Sequence, residues 1–299
     1  MQKKIFLALV VLAALVALAA CGNKATPTPA APQPTQAPAA TAAPAATEAP
    51  AATEAPAATK APTQAPAAGK LPDLGGKHIT VAVENAYPPF NYIDKNTGKP
   101  AGWDYDTVRE ICKRINCVPE FKEASWDGIF PAMKDGEYDM LADGVTITAD
   151  RAKIVDFSEP YVTIGQVLLV RADEGGTVDS FKADAKKLVG TQIGTTNEIV
   201  AKKNFAENRV KSFDDFGGAI MALLSGDIDG VVIDNVTALG FMKENKGKLK
   251  VLGQLTSDEK LGFVFPPGST LKDAVNAALE SMKADGTLQT LNKKWGLTQ

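Results

Sequence analysis

From Ala25 to Gly69 the chain consists almost wholly of Ala, Pro, Thr and Gln, and this tract confines any folded core to the residues after it. The hexapeptide APAATE occupies 43–48 and 49–54 and returns as APAATK at 55–60. The tract has no large apolar side chain to bury, and its spaced prolines favour extended conformations without internal hydrogen bonds. At about 3.1 Å per residue it reaches at most roughly 140 Å, which suits a tether. Its threonines leave glycosylation open. A folded module is expected from residue 71 onward, with 27 basic and 33 acidic residues. That balance lacks the clustered basic surface that nucleic acid requires. A single His, His78, leaves zinc or triad chemistry built on histidine without its ligands.

Ahead of the tether, Lys3 and Lys4 precede the apolar run from Ile5 to Ala20, which is shorter than the roughly 20 residues that span a bilayer. Leu18-Ala19-Ala20-Cys21 resembles a bacterial lipobox. That resemblance implies a signal peptide at 1–20, cleavage before Cys21, lipidation of Cys21 and an extracytoplasmic lipid anchor to the cell membrane, in the periplasm or on the outer face of the cell envelope. The segment 21–70 would then be the lipidated Cys and its tether. An ordinary signal peptide, or an uncleaved anchor with an incidental Cys, is the alternative.

Beyond residue 71 the hydrophobic period alternates. Short β-type runs are predicted near 78–83, 118–122, 139–142, 166–171, 187–190, 230–233, 249–252 and 262–265. Helices are predicted near 104–115, 126–134, 197–206, 214–224, 235–244, 270–284 and 287–294. Pro88 and Pro89 bar a helix from the loop after the first strand. Strands alternating with helices predict α/β architecture. Cys112 and Cys117, between the first helix and the next strand, are read as a disulfide in an exported chain, with two free thiols as the alternative.

The order YPPFNY (87–92), GWDYDTVREI (102–111), SWDGIFPAMKDGEYDM (125–140), DGVTITADRAKIVDFSEPY (143–161), GTTNE (194–198), GVVIDN (230–235) and ADGTLQTLNKKWG (284–296) resembles the polar amino acid solute-binding proteins of ABC importers. That resemblance implies an α/β, two-lobed periplasmic-binding-protein (type II) clamp with its cleft between the lobes. Lobe one would comprise 71–160 and 262–299 and lobe two 166–256, with a hinge at 161–165 and 257–261. It implies capture of a free amino acid without catalysis or cofactor, by a monomer that delivers its cargo to a membrane permease. A ligand-sensing module and a periplasmic dehydratase-like enzyme are the alternatives from other functional classes.

The resemblance also implies a ligand set. Arg151 would meet the ligand carboxylate with its planar fork, supported by backbone groups near Thr146, Thr195 and Thr196. Asp234 would accept from the ammonium, as would the Gly144 carbonyl; capping of the next helix is the structural alternative for Asp234. Tyr87 and Trp126 would hold the ligand side chain between aromatic faces, while Trp103 is assigned to packing. Glu84 and Asp143 would set specificity, and Asp143 departs from the small residue usual in the family. Two acids without a cation of their own favour a basic ligand such as arginine, lysine, ornithine or histidine, because an unpaired buried charge is costly. Glutamine or another polar amino acid is the alternative.

Overall fold

The computed structural model describes residues 70–297. The expected signal peptide, Cys21 lipidation and almost all of the tether lie outside these residues. Among the described residues no helix is long and apolar enough to cross a membrane.

Two five-stranded sheets organise the fold. The first runs Cys117–Glu123, Lys77–Val83, Met140–Leu141, Val264–Phe265, Asp156–Phe157, with its first three strands parallel. The second runs Val210–Phe213, Val189–Gln192, Gly230–Asp234, Gln166–Arg171, Leu249–Gln254, again parallel over its first three strands. Two chain crossings join the sheets, and they pair as the antiparallel strands Val162–Ile164 and Glu259–Leu261.

Local chemistry explains the elements. In the helix Trp103–Ile115, Val108, Ile111, Cys112 and Ile115 form the buried face, and Asp104 and Asp106 favour its first turn. Gly102 precedes it at φ 138°, where a Cβ would fall 2.0 Å from the Phe90 carbonyl oxygen, so only glycine fits. Trp103 is fully buried against Phe90, Tyr161 and Phe263, and its indole N–H donates to Asn292 Oδ1 at 2.7 Å. Truncating such a side chain to alanine costs about 3–5 kcal/mol. In the second sheet, the central strands Gln166–Arg171 and Gly230–Asp234 are buried almost throughout, as strands with helices on both faces must be. Cys112 and Cys117 are joined by a disulfide that ties this first helix to the next strand.

Several expectations shift. The helix expected from 126 begins at Ile129, because Gly128 stands before it at φ 84°. Trp126 therefore lies in a turn instead of on the helix. The strand expected at 187–190 lies at Val189–Gln192, which moves its end by two residues. Sequence periodicity also misses the helix Val178–Ala183, opened by a Thr177/Ser180 capping box, and the strand Val210–Phe213. It misses the small sheet of Ala86–Tyr87, Asn91–Ile93 and Pro100–Ala101, whose strands of two or three residues show no period.

The two halves also touch away from the paired crossing strands. The helix Asn235–Glu244 approaches the loop after the first strand at Gly240, where a Cβ would lie 2.9 Å from the Pro88 carbonyl oxygen. From the same helix, Glu244 Oε2 meets Lys95 Nζ, which follows the strand Asn91–Ile93, at 2.6 Å.

Candidate functional site

Parallel strands aim their carboxyl ends at one crevice, and in open α/β sheets that is where ligands bind. Here Glu84 follows Lys77–Val83, Asp143 and Gly144 follow Met140–Leu141, Gln192 ends its strand and Asp234 ends Gly230–Asp234. Both sheets thus send side chains into the same gap.

The result is a narrow pocket between the halves. All ten residues expected from sequence line it: Glu84, Tyr87, Trp126, Asp143, Gly144, Thr146, Arg151, Thr195, Thr196 and Asp234. Gln192, Asn197 and Phe216 line it too and were missed. Asn197 lies within the GTTNE stretch, so its neighbours could have flagged it. Gln192 and Phe216 carry no signal beyond their place at a strand end and a helix start.

Arg151 belongs to the short turn Arg151–Lys153. Its Nη1 donates to the Thr146 carbonyl at 2.9 Å and its Nη2 to the Gly194 carbonyl at 3.4 Å, one from each half. The guanidinium stands 5.2 Å from the Trp126 ring centre and 4.6 Å from that of Phe130. Burial pushes its pKa down to about 10, against an attraction from Asp234 and Glu259. It remains a cation at neutral pH. Beside it begins the helix Thr196–Asn204, whose N-cap Thr195 accepts from the Glu198 backbone N–H. A helix N-terminus next to a guanidinium is a place for a carboxylate.

Asp234 occupies the N-cap position of Asn235–Glu244 but makes no capping bond, which corrects the structural alternative offered from sequence. Its oxygens face the pocket instead. The Tyr87 hydroxyl donates to Oδ2, and Asn197 Nδ2 donates to Oδ1 at 2.8 Å. Burial raises its carboxyl to about 6, offset in part by these two bonds. Tyr87 stacks on Phe90 and on Phe216, each at 5.5 Å between ring centres. Gly144 stands at φ 56°, and a Cβ there would come within 2.8 Å of the Tyr87 ring, so glycine lets the aromatic seat itself.

Glu84 and Asp143 form the other end. Burial pushes both carboxyls up, and the neighbouring charge of Asp143 raises Glu84 further. Glu84 Oε1 accepts from Gln192 Nε2 at 2.5 Å across the gap, and Asp143 Oδ1 accepts from Asn91 Nδ2 at 2.7 Å. Among the described residues neither acid has a basic side chain within salt-bridge distance.

A family model described as bacterial extracellular solute-binding proteins, family 3, matches residues 79–298. The L-cystine-binding protein TcyJ of Escherichia coli (strain K12) is 31% identical over 218 residues, covering 73% of this chain and 82% of that protein. An ancestral arginine-binding protein bound to glutamine is 39% identical with a TM-score of 0.68, over 73% of this chain and 97% of its own. The arginine-, lysine-, histidine-binding protein ArtJ from Geobacillus stearothermophilus is 34% identical with a TM-score of 0.68, over 73% and 95%. The two sheets, the crossings and the pocket at their strand ends are thus those of a two-lobed amino-acid-binding protein. The chain belongs to the bacterial extracellular solute-binding proteins, family 3.

Proposed function

We propose that this protein captures a free amino acid with a cationic side chain outside the cytoplasm and hands it to the permease of an ABC importer. The observation that carries this is the distribution of charge in the pocket: a guanidinium at one end, Asp234 across from it, and two further acids at the far end. Arg151 would take the carboxylate, Asp234 and the Gly144 carbonyl the ammonium, and Glu84 with Asp143 the distal cation. Tyr87 and Trp126 would flank the aliphatic part. Lobe one, 71–160 and 262–299, and lobe two, 166–256, would close about the segments 161–165 and 257–261, because short strands absorb a rigid-body rotation in a few dihedrals. Closure is favoured when the ligand gains contacts from both lobes. A micromolar affinity corresponds to about 8 kcal/mol, within reach of two charge-assisted sets plus aromatic burial.

The process is capture without chemistry, by a monomer. Cys21 would carry the lipid that holds the chain at the outer face of a membrane, with the Ala/Pro/Thr tract letting the clamp reach away from it. A neutral polar ligand such as glutamine is the second reading, favoured by the Gln192 carboxamide that already satisfies one oxygen of Glu84.

Thermal unfolding of the full chain, refolded free of carried-over ligand, against a panel of amino acids tests this. A ligand at 100 times its Kd adds about 2.7 kcal/mol of stability. Selective stabilisation by arginine, lysine, ornithine or histidine supports the basic reading, stabilisation by glutamine alone supports the second, and no response to any amino acid overturns both.

A further inference from the structure

Behind the Glu84–Asp143 end lies a second tier of polar groups that does not reach the pocket. Asn91 opens the strand Asn91–Ile93, and Asp104 sits in the first turn of Trp103–Ile115. Both are 0% exposed, and Asp143 in front of them is 4% exposed. Asn91 Nδ2 donates to Asp143 Oδ1 at 2.7 Å and to Asp104 Oδ2 at 2.9 Å, with the Ala142 carbonyl at 3.4 Å. Its Oδ1 accepts from the Asn85 backbone N–H at 2.7 Å.

An amide has two hydrogens, and here both are directed at acids. Turning the amide over would set its carbonyl against two carboxyl groups and abandon the Asn85 bond, so only one orientation is satisfied. Asp104 is fixed in turn by the helix that bears it. Asp143 is therefore gripped at one oxygen from inside the protein, which stops the side chain from rotating away from the pocket it lines. An acidic wall held in this way meets a cationic guest without further ordering of its side chain, and preorganisation of this kind raises affinity by cutting the ordering cost.

We propose that Asn91 and Asp104 are positioning residues that aim the Asp143 carboxylate into the pocket and so set the preference for a cationic over a neutral ligand side chain. This inference rests on the basic-amino-acid reading above.

The test is calorimetric titration of the full chain with arginine and with glutamine, in the wild type, Asn91→Ser, Asp104→Leu and Asp143→Asn. The quantity read is the ratio of the two affinities. Loss of the Asn91 bond should lower the arginine-to-glutamine ratio about fivefold or more, with glutamine affinity nearly unchanged. Asn91→Ser should add little once Asp143→Asn is present. A role confined to folding would weaken both ligands together and leave the ratio alone. An unchanged ratio in Asn91→Ser and Asp104→Leu overturns the proposal, and if one variant no longer melts cooperatively the other decides. The wild-type ratio scores the parent reading separately. A wild type that prefers glutamine overturns the basic reading, whereas a wild type that prefers arginine, with variants that keep its ratio, overturns only the positioning role.

Discussion

Arg151 and the Glu84–Asp143 pair bracket one pocket, yet their charges are supported in different ways. Arg151 is held by two backbone carbonyls, which no substitution removes, and by two aromatic faces, which do not titrate. The acids are held by two carboxamides, Gln192 and Asn91, whose identity the sequence is free to change. The cationic end is thus built mostly from the fold, and the acidic end from replaceable side chains. The difference teaches where a family with one scaffold can vary its ligand: at the end whose support is side chain.

The largest expected effect is on the fold-built end. Arg151→Ala should weaken every amino acid by about 100-fold or more, since it removes one partner of a desolvated charge pair. Equal titrations of arginine and glutamine that retain near-wild-type affinity would show that the ligand does not place its carboxylate there. Next comes the acidic end, where Asp143→Asn should cost arginine about tenfold and leave glutamine close to wild type. A parallel loss for both ligands would erase the distinction between the two ends.

Proton linkage sharpens the comparison further. An unfolded Asp loses its proton near pH 4, whereas burial lifts Asp234 to about 6 and Asp104 to about 8 in the folded chain. Between those limits the folded state holds more protons than the unfolded one, so ligand-free stability falls as pH rises from about 4 to 8. A cationic ligand favours the ionised acids, so its stabilisation should grow over the same window. Scanning calorimetry at several pH values, with and without arginine, checks both signs; a ligand-free melting temperature that climbs over this window would contradict the assignment. The closure proposed above would serve both ends alike, so Gly240→Ala should reduce affinity for all ligands by a common factor of about ten, without altering their ranking. Smallest is Lys95→Ala, whose exposed ion pair with Glu244 is worth a factor of about two to five at most, and less at high salt.

Much of the fold was legible in the sequence because its longer elements carry a period. The strand Lys77–Val83 and the helices Trp103–Ile115 and Asn235–Glu244 fall within a residue of expectation. The run expected at 139–142 contains the strand Met140–Leu141, but a two-residue strand such as Asp156–Phe157 is too short for alternation to mark. Gln192 escaped notice because a glutamine on a strand has no chemistry of its own until the opposite lobe brings Glu84 to it. Asn91 and Asp104 escaped for the same reason: their meaning lies in a bond across 13 residues and another across 52.

Gly240 meets the Pro88 carbonyl at a point that no pocket residue lines. With no side chain between the helix Asn235–Glu244 and the Pro88 carbonyl, the closure proposed above would run to backbone contact there and stop. On that proposal the depth of the closed cleft would be a property of the scaffold and not of the cargo. Arginine and a smaller amino acid would each be sealed behind the same outer contour, so a permease could recognise a loaded carrier by one shape whatever it holds.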